Sequence, residues 1–264
     1  MTSTAPAPAD LGGMFSIGGD LPVRRIGYGA MQITGPGHWF HPADMDEAKA
    51  VLREAVDLGV NHIDTADAYG PETSERLIRK ALHPYPDDLV IATKGGMTRQ
   101  GPNRWAPVGR PEYLRQCVEM SLRRLALDRI DLYYLHRIDP HVPLTDQLGE
   151  LAALREEGKI RHIGISKATA AQVEAARAIT PIAAVQNKFN QLEGDHAVLE
   201  YCTEQGLAFV PYAPLSAGTL ARDGGAPEAI RWLLNQSTVV LPIPGTTSID
   251  HLHANLAAAT RKKA

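Results

Sequence analysis

Short apolar runs alternate along this chain with amphipathic stretches of helical period. The runs at 25–29, 62–64, 89–93, 130–135, 160–165, 183–186, 208–212 and 239–241 read as strands. After the first run, Ala48, Val51, Leu52, Ala55 and Leu58 share one helical face, with Asp44 or Asp46 as cap and Gly59 as stop. Helices are likewise predicted over 72–82, 111–125, 144–157, 170–178, 197–205 and 227–235, and a last one carries Ile249, Leu252, Leu256 and Ala259 on one face. Residues 14–23 read as a hairpin turning at Gly18-Gly19-Asp20, and 95–108 as a long loop.

The strands are apolar on both faces, as parallel strands between a barrel interior and outer helices should be. Eight strand–helix pairs match a (β/α)8 TIM barrel of about 250 residues, here with an N-terminal β-hairpin. A doubly wound sheet would carry a glycine-rich fingerprint after its first strand. Gly27-Tyr28-Gly29-Ala30-Met31-Gln32 lacks it. The expected organisation is one domain over 14–264 behind a disordered tail at 1–13, whose Ala/Pro/Ser/Thr composition has neither basic nor apolar signal regions.

Composition narrows the function. A net charge of -3 gives no basic footprint for nucleic acid or an anionic membrane. No apolar run approaches the ~20 residues that span a bilayer. The only cysteines, Cys117 and Cys202, read as buried free thiols of a cytoplasmic protein. A small-molecule partner fits best, on a monomer or weak homo-oligomer.

The candidate chemistry lies at strand ends. Asp64, Lys94 and His136 close strands two, three and four, and Tyr69 sits in the loop after strand two. Neighbouring strands lie ~4.8 Å apart, and barrel active sites form at C-terminal strand ends, so these side chains can converge. A phenol titrates near 10; a neighbouring Lys94 ammonium is expected to lower that value, with Asp64 holding the lysine. Tyr69 could then protonate a carbonyl oxygen that His136 orients. Such a set moves protons only, so a cofactor must bring the hydride.

The stretch Gly59-Val60-Asn61-His62-Ile63-Asp64-Thr65-Ala66-Asp67-Ala68-Tyr69-Gly70 resembles the signature of the aldo-keto reductase superfamily. Asp131-Leu132-Tyr133-Tyr134-Leu135-His136, Gly164-Ile165-Ser166, Gln186, Pro211-Tyr212-Ala213-Pro214-Leu215 and Ile243-Pro244-Gly245-Thr246 follow in matching order, so the resemblance covers about 25–258. It implies NAD(P)H-dependent reduction of an aldehyde or ketone, with NADPH as the default cofactor and NADH as the alternative. The catalytic set it implies is Asp64, Tyr69, Lys94 and His136. Implied cofactor contacts are Gly29, Ala30, Met31, Asp64, Ser166, Lys167, Gln186, Tyr212, Ala213, Pro214, Leu215, Ser216, Gly218, Ile243, Pro244, Gly245, Thr246, Thr247, His251 and Asn255, with Tyr212 stacking on the nicotinamide.

Three positions depart from the family pattern. Lys167 stands where relatives usually have a carboxamide-gripping Asn. The segment from Leu215 to the helix near Pro227 is short, and its glycines suggest a mobile link that leaves the pyrophosphate exposed and the cofactor more weakly held. Gly245 and His251 replace the Lys and Arg common in NADP-preferring relatives, leaving Thr246, Thr247, Ser248 and a helix N-terminus for phosphate. Candidate substrate walls are Trp39, Phe40, Trp105, Tyr69 and His136, with 137–141; the aromatics favour an apolar or aromatic carbonyl. His38 and His41 have no third ligand nearby, so no metal is expected. Two other readings are a Schiff-base lyase acting through Lys94 and a regulatory protein that only binds the cofactor.

Overall fold

A computed structural model describes residues 11–259. Strands β1 (Met14–Ile17) and β2 (Leu21–Arg24) form the N-terminal hairpin, turning through Gly18 and Gly19 at positive φ. Part of the expected tail is held. Leu11 is fully buried, its carbonyl accepts from the Ile26 N–H, and the Gly13 carbonyl accepts from the Arg25 N–H. An apolar side chain with a place in the core anchors the chain there; residues 1–10 lie outside the described residues.

The rest alternates: β3 (Tyr28–Gly29), α1 (Met45–Asp57), β4 (His62–Asp64), α2 (Thr73–Leu82), β5 (Val90–Gly95), a hairpin of β6 (Met97–Gly101) and β7 (Arg104–Pro107), α3 (Pro111–Leu125), β8 (Ile130–Leu135), α4 (Leu144–Glu156), β9 (Ile160–Ser166), α5 (Ala170–Ile179) and β10 (Ile182–Gln186). A small hairpin of β11 (Phe189–Asn190) and β12 (Glu193–Gly194) precedes α6 (His196–Gln205), β13 (Ala208–Phe209), α7 (Ala226–Gln236) and α8 (Ile249–Leu256). Asp44 caps α1 as read, accepting from the Asp46 and Glu47 amides. Cys117 and Cys202 are free and buried.

Strands β3, β4, β5, β8, β9, β10 and β13 pair in that order, every pair parallel. The eighth run differs from its expectation. It makes one parallel bridge, Val240 to Phe209, and no ladder strand; beyond it Pro242 and Pro244 have no N–H to give. The backbone here still closes the barrel. Phe209 N–H donates to Val239 and Leu241 N–H donates to Phe209 on one side; Gly27 and Gly29 N–H donate to Pro242 and Pro244 on the other. That seam is tight: a Cβ on Gly245 would lie 2.3 Å from the Gly29 carbonyl oxygen. Any side chain at Gly245 would force this backbone seam apart.

Side chains alternate across each strand. Inward positions Val90, Ala92, Leu132, Tyr134, Ala184, Ala208, Val210, Leu241 and Ile243 fill the barrel, and Ile17, Leu21 and Val23 of the hairpin plug one end. Gly164 makes this possible, since a Cβ there would meet the Tyr134 ring at 2.4 Å. Two further apolar groups fill the space between strands and helices.

Two expected loops are ordered otherwise. Residues 97–107 form a hairpin, with Asn103 in the left-handed region at its turn. The segment Ser216–Gly224 is a run of 3-10 turns broken by left-handed Ala217, Gly218 and Asp223, rather than an open link. Among the described residues, no helix is long and apolar enough to cross a membrane.

Candidate active site

The same alternation that fills the barrel delivers its next inward residues to the mouth. After Ala92 comes Lys94, after Tyr134 comes His136, after Gly164 comes Ser166, after Ala184 comes Gln186, and after Val210 comes Tyr212. Asp64 ends β4 beside them. Tyr69 arrives from the following loop, held by its N–H to the Ala66 carbonyl and by its own carbonyl accepting from Ser74 N–H. Gly70, at φ 86°, turns the chain there, and the Thr73 hydroxyl donates to its carbonyl.

These groups form one connected set. Lys94 Nζ donates to Asp64 Oδ1 at 2.5 Å, to the Thr65 carbonyl at 2.8 Å and to the Tyr69 hydroxyl oxygen at 3.3 Å. Its three protons are all committed. The other Asp64 oxygen accepts from Gln186 Nε2 at 2.7 Å, and Ser166 Oγ donates to the Gln186 carbonyl at 2.8 Å. The His136 ring stands edge-on to Tyr69, centroids 5.9 Å apart, and Trp105 from β7 approaches both, at 6.3 Å and 6.2 Å.

Burial sets the protonation states. It opposes the charge on Lys94, but Asp64 and Tyr69 outweigh it and keep the ammonium above the ordinary lysine range. That ammonium is no Schiff-base nucleophile, and the lyase reading loses its main support. The expected lowering of Tyr69 is reversed: burial raises the phenol, with Lys94 opposing it and Asp64 adding to the rise. Tyr69 therefore holds its proton at neutral pH. Burial first, then the Lys94, Lys167, Arg137 and Arg99 cations, pull His136 well below the usual histidine range, so it is neutral.

A cleft of about 1490 Å³ opens over this set. Tyr69, Asp64, His136 and Trp105 line it, with His38, Met97 and Asn103 beside them. Of the expected cofactor contacts, Gly29, Met31, Ser166, Lys167, Gln186, Tyr212, Ala213–Leu215, Gly218, Ile243–Thr247, His251 and Asn255 line it, whereas Ala30 and Ser216 do not. Ala30 is fully buried, its carbonyl accepting from Ser74. Trp39 and Phe40 stand outside the cleft too: Phe40 is 64% exposed and Trp39 packs on Phe40 and over Arg99. Lys94, 1% exposed, does not line the cleft and reaches it only through its bond to the Tyr69 oxygen.

Two arginines escaped the reading of the sequence. Arg99 donates to the Ala68, His38 and Gly37 carbonyls and stacks on Trp105 at 3.6 Å, tying three loops together. Arg222, inside the 3-10 segment, also lines the cleft. An arginine in a polar stretch carries no periodic signal, so only the fold reveals either. Among the described residues, no group of three metal-ligating side chains gathers.

Behind the mouth, Asp67 is buried with Oδ1 unpartnered. Burial first, then the Glu75 charge, push its carboxyl up to about 7. A folded pKa above the unfolded one leaves full stability below about pH 4. That contribution is lost as pH rises through 7. Asp67→Asn cannot ionise, so its melting temperature should gain on the parent between pH 4 and 8. Parallel profiles across that range would show that Asp67 is not neutral in the fold.

The structure thus sets Asp64, Tyr69, Lys94 and a neutral His136 together at the mouth of a (β/α)8 barrel. The chain belongs to the Aldo/keto reductase family, whose model matches residues 25–228. It is 48% identical to an uncharacterized oxidoreductase of Schizosaccharomyces pombe (strain 972) over 91% of this chain and 83% of that protein. It is 42% identical to pyridoxine 4-dehydrogenase of Escherichia coli (strain K12) over 91% of each. The glycerol dehydrogenase structure from Gluconobacter oxydans superposes with a TM-score of 0.84 at 26% identity, over 93% of this chain and 89% of that one. An aldo-keto reductase from Klebsiella pneumoniae, solved with NADPH, gives 0.78 at 25% identity over 93% and 89%.

Proposed function

We propose that this protein reduces an aldehyde or ketone to an alcohol with NADPH, Tyr69 giving the proton. The observation that carries this reading is the direction of one hydrogen bond. Lys94 donates to the Tyr69 oxygen, so the phenol's own proton is free to go elsewhere. Tyr69 is 7% exposed and faces the cleft, so an oxygen placed there meets a donor screened from water. As Tyr69 loses its proton, the Lys94 ammonium at its oxygen offsets the phenolate charge. Neutral His136 offers an uncharged ring to orient the substrate oxygen. Asp64 keeps Lys94 charged and in place.

The cleft fits a dinucleotide beside a small carbonyl compound, since it exceeds the roughly 300–1,000 Å³ of a single small-ligand pocket. Ser166, Gln186 and Tyr212 would hold the nicotinamide, and the cofactor would supply the hydride. Ala213–Leu215, Gly218, Arg222 and the start of α8 would hold the phosphates, with Thr247 and His251 lining the cleft there. The NADPH-bound Klebsiella relative supports NADPH as the cofactor. The short 215–227 segment favours a cofactor held less tightly than in longer-looped relatives.

The test is consumption of NADPH, followed by its absorbance, with 4-nitrobenzaldehyde as acceptor. We expect turnover with NADPH and, because Gly245 and His251 replace two strong cations, only a modest preference over NADH in kcat/KM. No oxidation of either cofactor would sink the assignment.

A further inference from the structure

Two cations at the mouth lack a carboxylate partner among the described residues. Arg137 follows His136 at the end of β8, and Lys167 follows Ser166 at the end of β9. Those strands are neighbours, with Leu135 paired to Ile165, so both residues leave the barrel side by side, and both line the cleft. Other charges nearby are spoken for. Lys94 is bound to Asp64, and Arg99 is spent on loop carbonyls and Trp105. Asp139, two residues beyond Arg137, accepts instead from the Gly109 and His141 amides.

Lys167 makes the point sharply. Its backbone sits at φ 57°, a region uncommon for long side chains, and its Nζ lies over the Tyr212 ring, 5.6 Å from the centroid. Lys167 is an exposed residue, yet partial desolvation at the mouth, then Arg137 and Lys94, pull its ammonium down to about 8. Like charges thus crowd beside the reaction corner, and a neutral substrate would leave that repulsion standing. An anionic oxygen group would relieve it, and the guanidinium fork of Arg137 suits such a group.

Building on the carbonyl-reductase reading, we propose that Arg137 and Lys167 select carbonyl substrates that carry a carboxylate or phosphate. The positive charge at the substrate end of the cleft then serves specificity, separately from Arg222 on the phosphate side.

The test compares 4-formylbenzoate with its methyl ester, which differs by little more than the charge, and adds 4-formylphenyl phosphate as a second anion. We expect kcat/KM with NADPH to favour 4-formylbenzoate over the ester by roughly tenfold at low salt, and the ratio to shrink as ionic strength rises. Preference for only one of the two anions would assign the site to that group. Arg137→Met and Lys167→Met should each cut the anion-to-ester ratio several-fold, with Arg137→Lys between. A ratio near one in the parent, or one untouched in both variants, overturns the proposal. So does a loss that appears only in the KM for NADPH, which would give these cations to the cofactor. Dissociation constants by calorimetry keep the two readings apart. Tighter binding of 4-formylbenzoate than of the ester supports anion selection even if no NADPH is consumed. Equal binding with normal turnover overturns anion selection alone.

Discussion

Tyr69→Phe is expected to lower kcat for 4-nitrobenzaldehyde by roughly 10²–10⁴-fold, the range that a positioned proton donor contributes. The substitution removes one oxygen and little volume, in a side chain packed against Trp105 and His136. Melting temperature should stay close to the parent's, and NADPH should still quench protein fluorescence on binding. A dead but folded, cofactor-binding variant isolates the proton step. Because burial raises the phenol, the parent should reduce carbonyls well at neutral pH, while alcohol oxidation, which needs the phenolate, should gain as pH rises. Full activity in Tyr69→Phe would move the donor elsewhere, with His136 the first group to test.

Lys94→Met should have the second large effect, and on two readouts. The Lys94–Asp64 pair is buried, 1% and 3% exposed at its side chains. Removing the ammonium leaves Asp64 with only the Gln186 amide. Breaking a buried pair from one side costs about 3–5 kcal/mol, which for a chain of this size is a fall of roughly 10 °C in melting temperature. Turnover should collapse as well, since Tyr69 loses the charge at its oxygen. The double variant Lys94→Met/Asp64→Asn removes the orphaned charge and should recover much of the stability, but no activity. A single variant melting within about 2 °C of the parent would mean that the pair contributes little to the fold.

Much of this site was legible because barrel strands have a period of two. Asp64, Lys94 and His136 could be read at strand ends without any structure, and their convergence follows from strand spacing. Tyr69 was legible by its place in the loop after Asp64. What stayed hidden depends on contacts between distant segments. Trp105 was read in a loop, because the polar residues of 97–107 hide the β-hairpin that aims it. The eighth run was read as a strand, but towards the first strand Pro242 and Pro244 offer only their carbonyls, to Gly27 and Gly29. The sign of the Tyr69 shift needed the extent of burial, which no spacing reveals. Trp39 and Phe40 follow the first strand in sequence yet turn away from the cleft, and Leu11 proved to be core rather than tail.

The Arg99 clamp bears on how such a barrel can change. Loops over a barrel usually vary one at a time, each with its own strand and helix as support. Here a single guanidinium answers to carbonyls at Gly37, His38 and Ala68 while lying flat on Trp105. An insertion in any one of the three loops is felt by the other two. Descendants with a reshaped mouth should therefore carry paired changes, one in the altered loop and one at the position of Arg99.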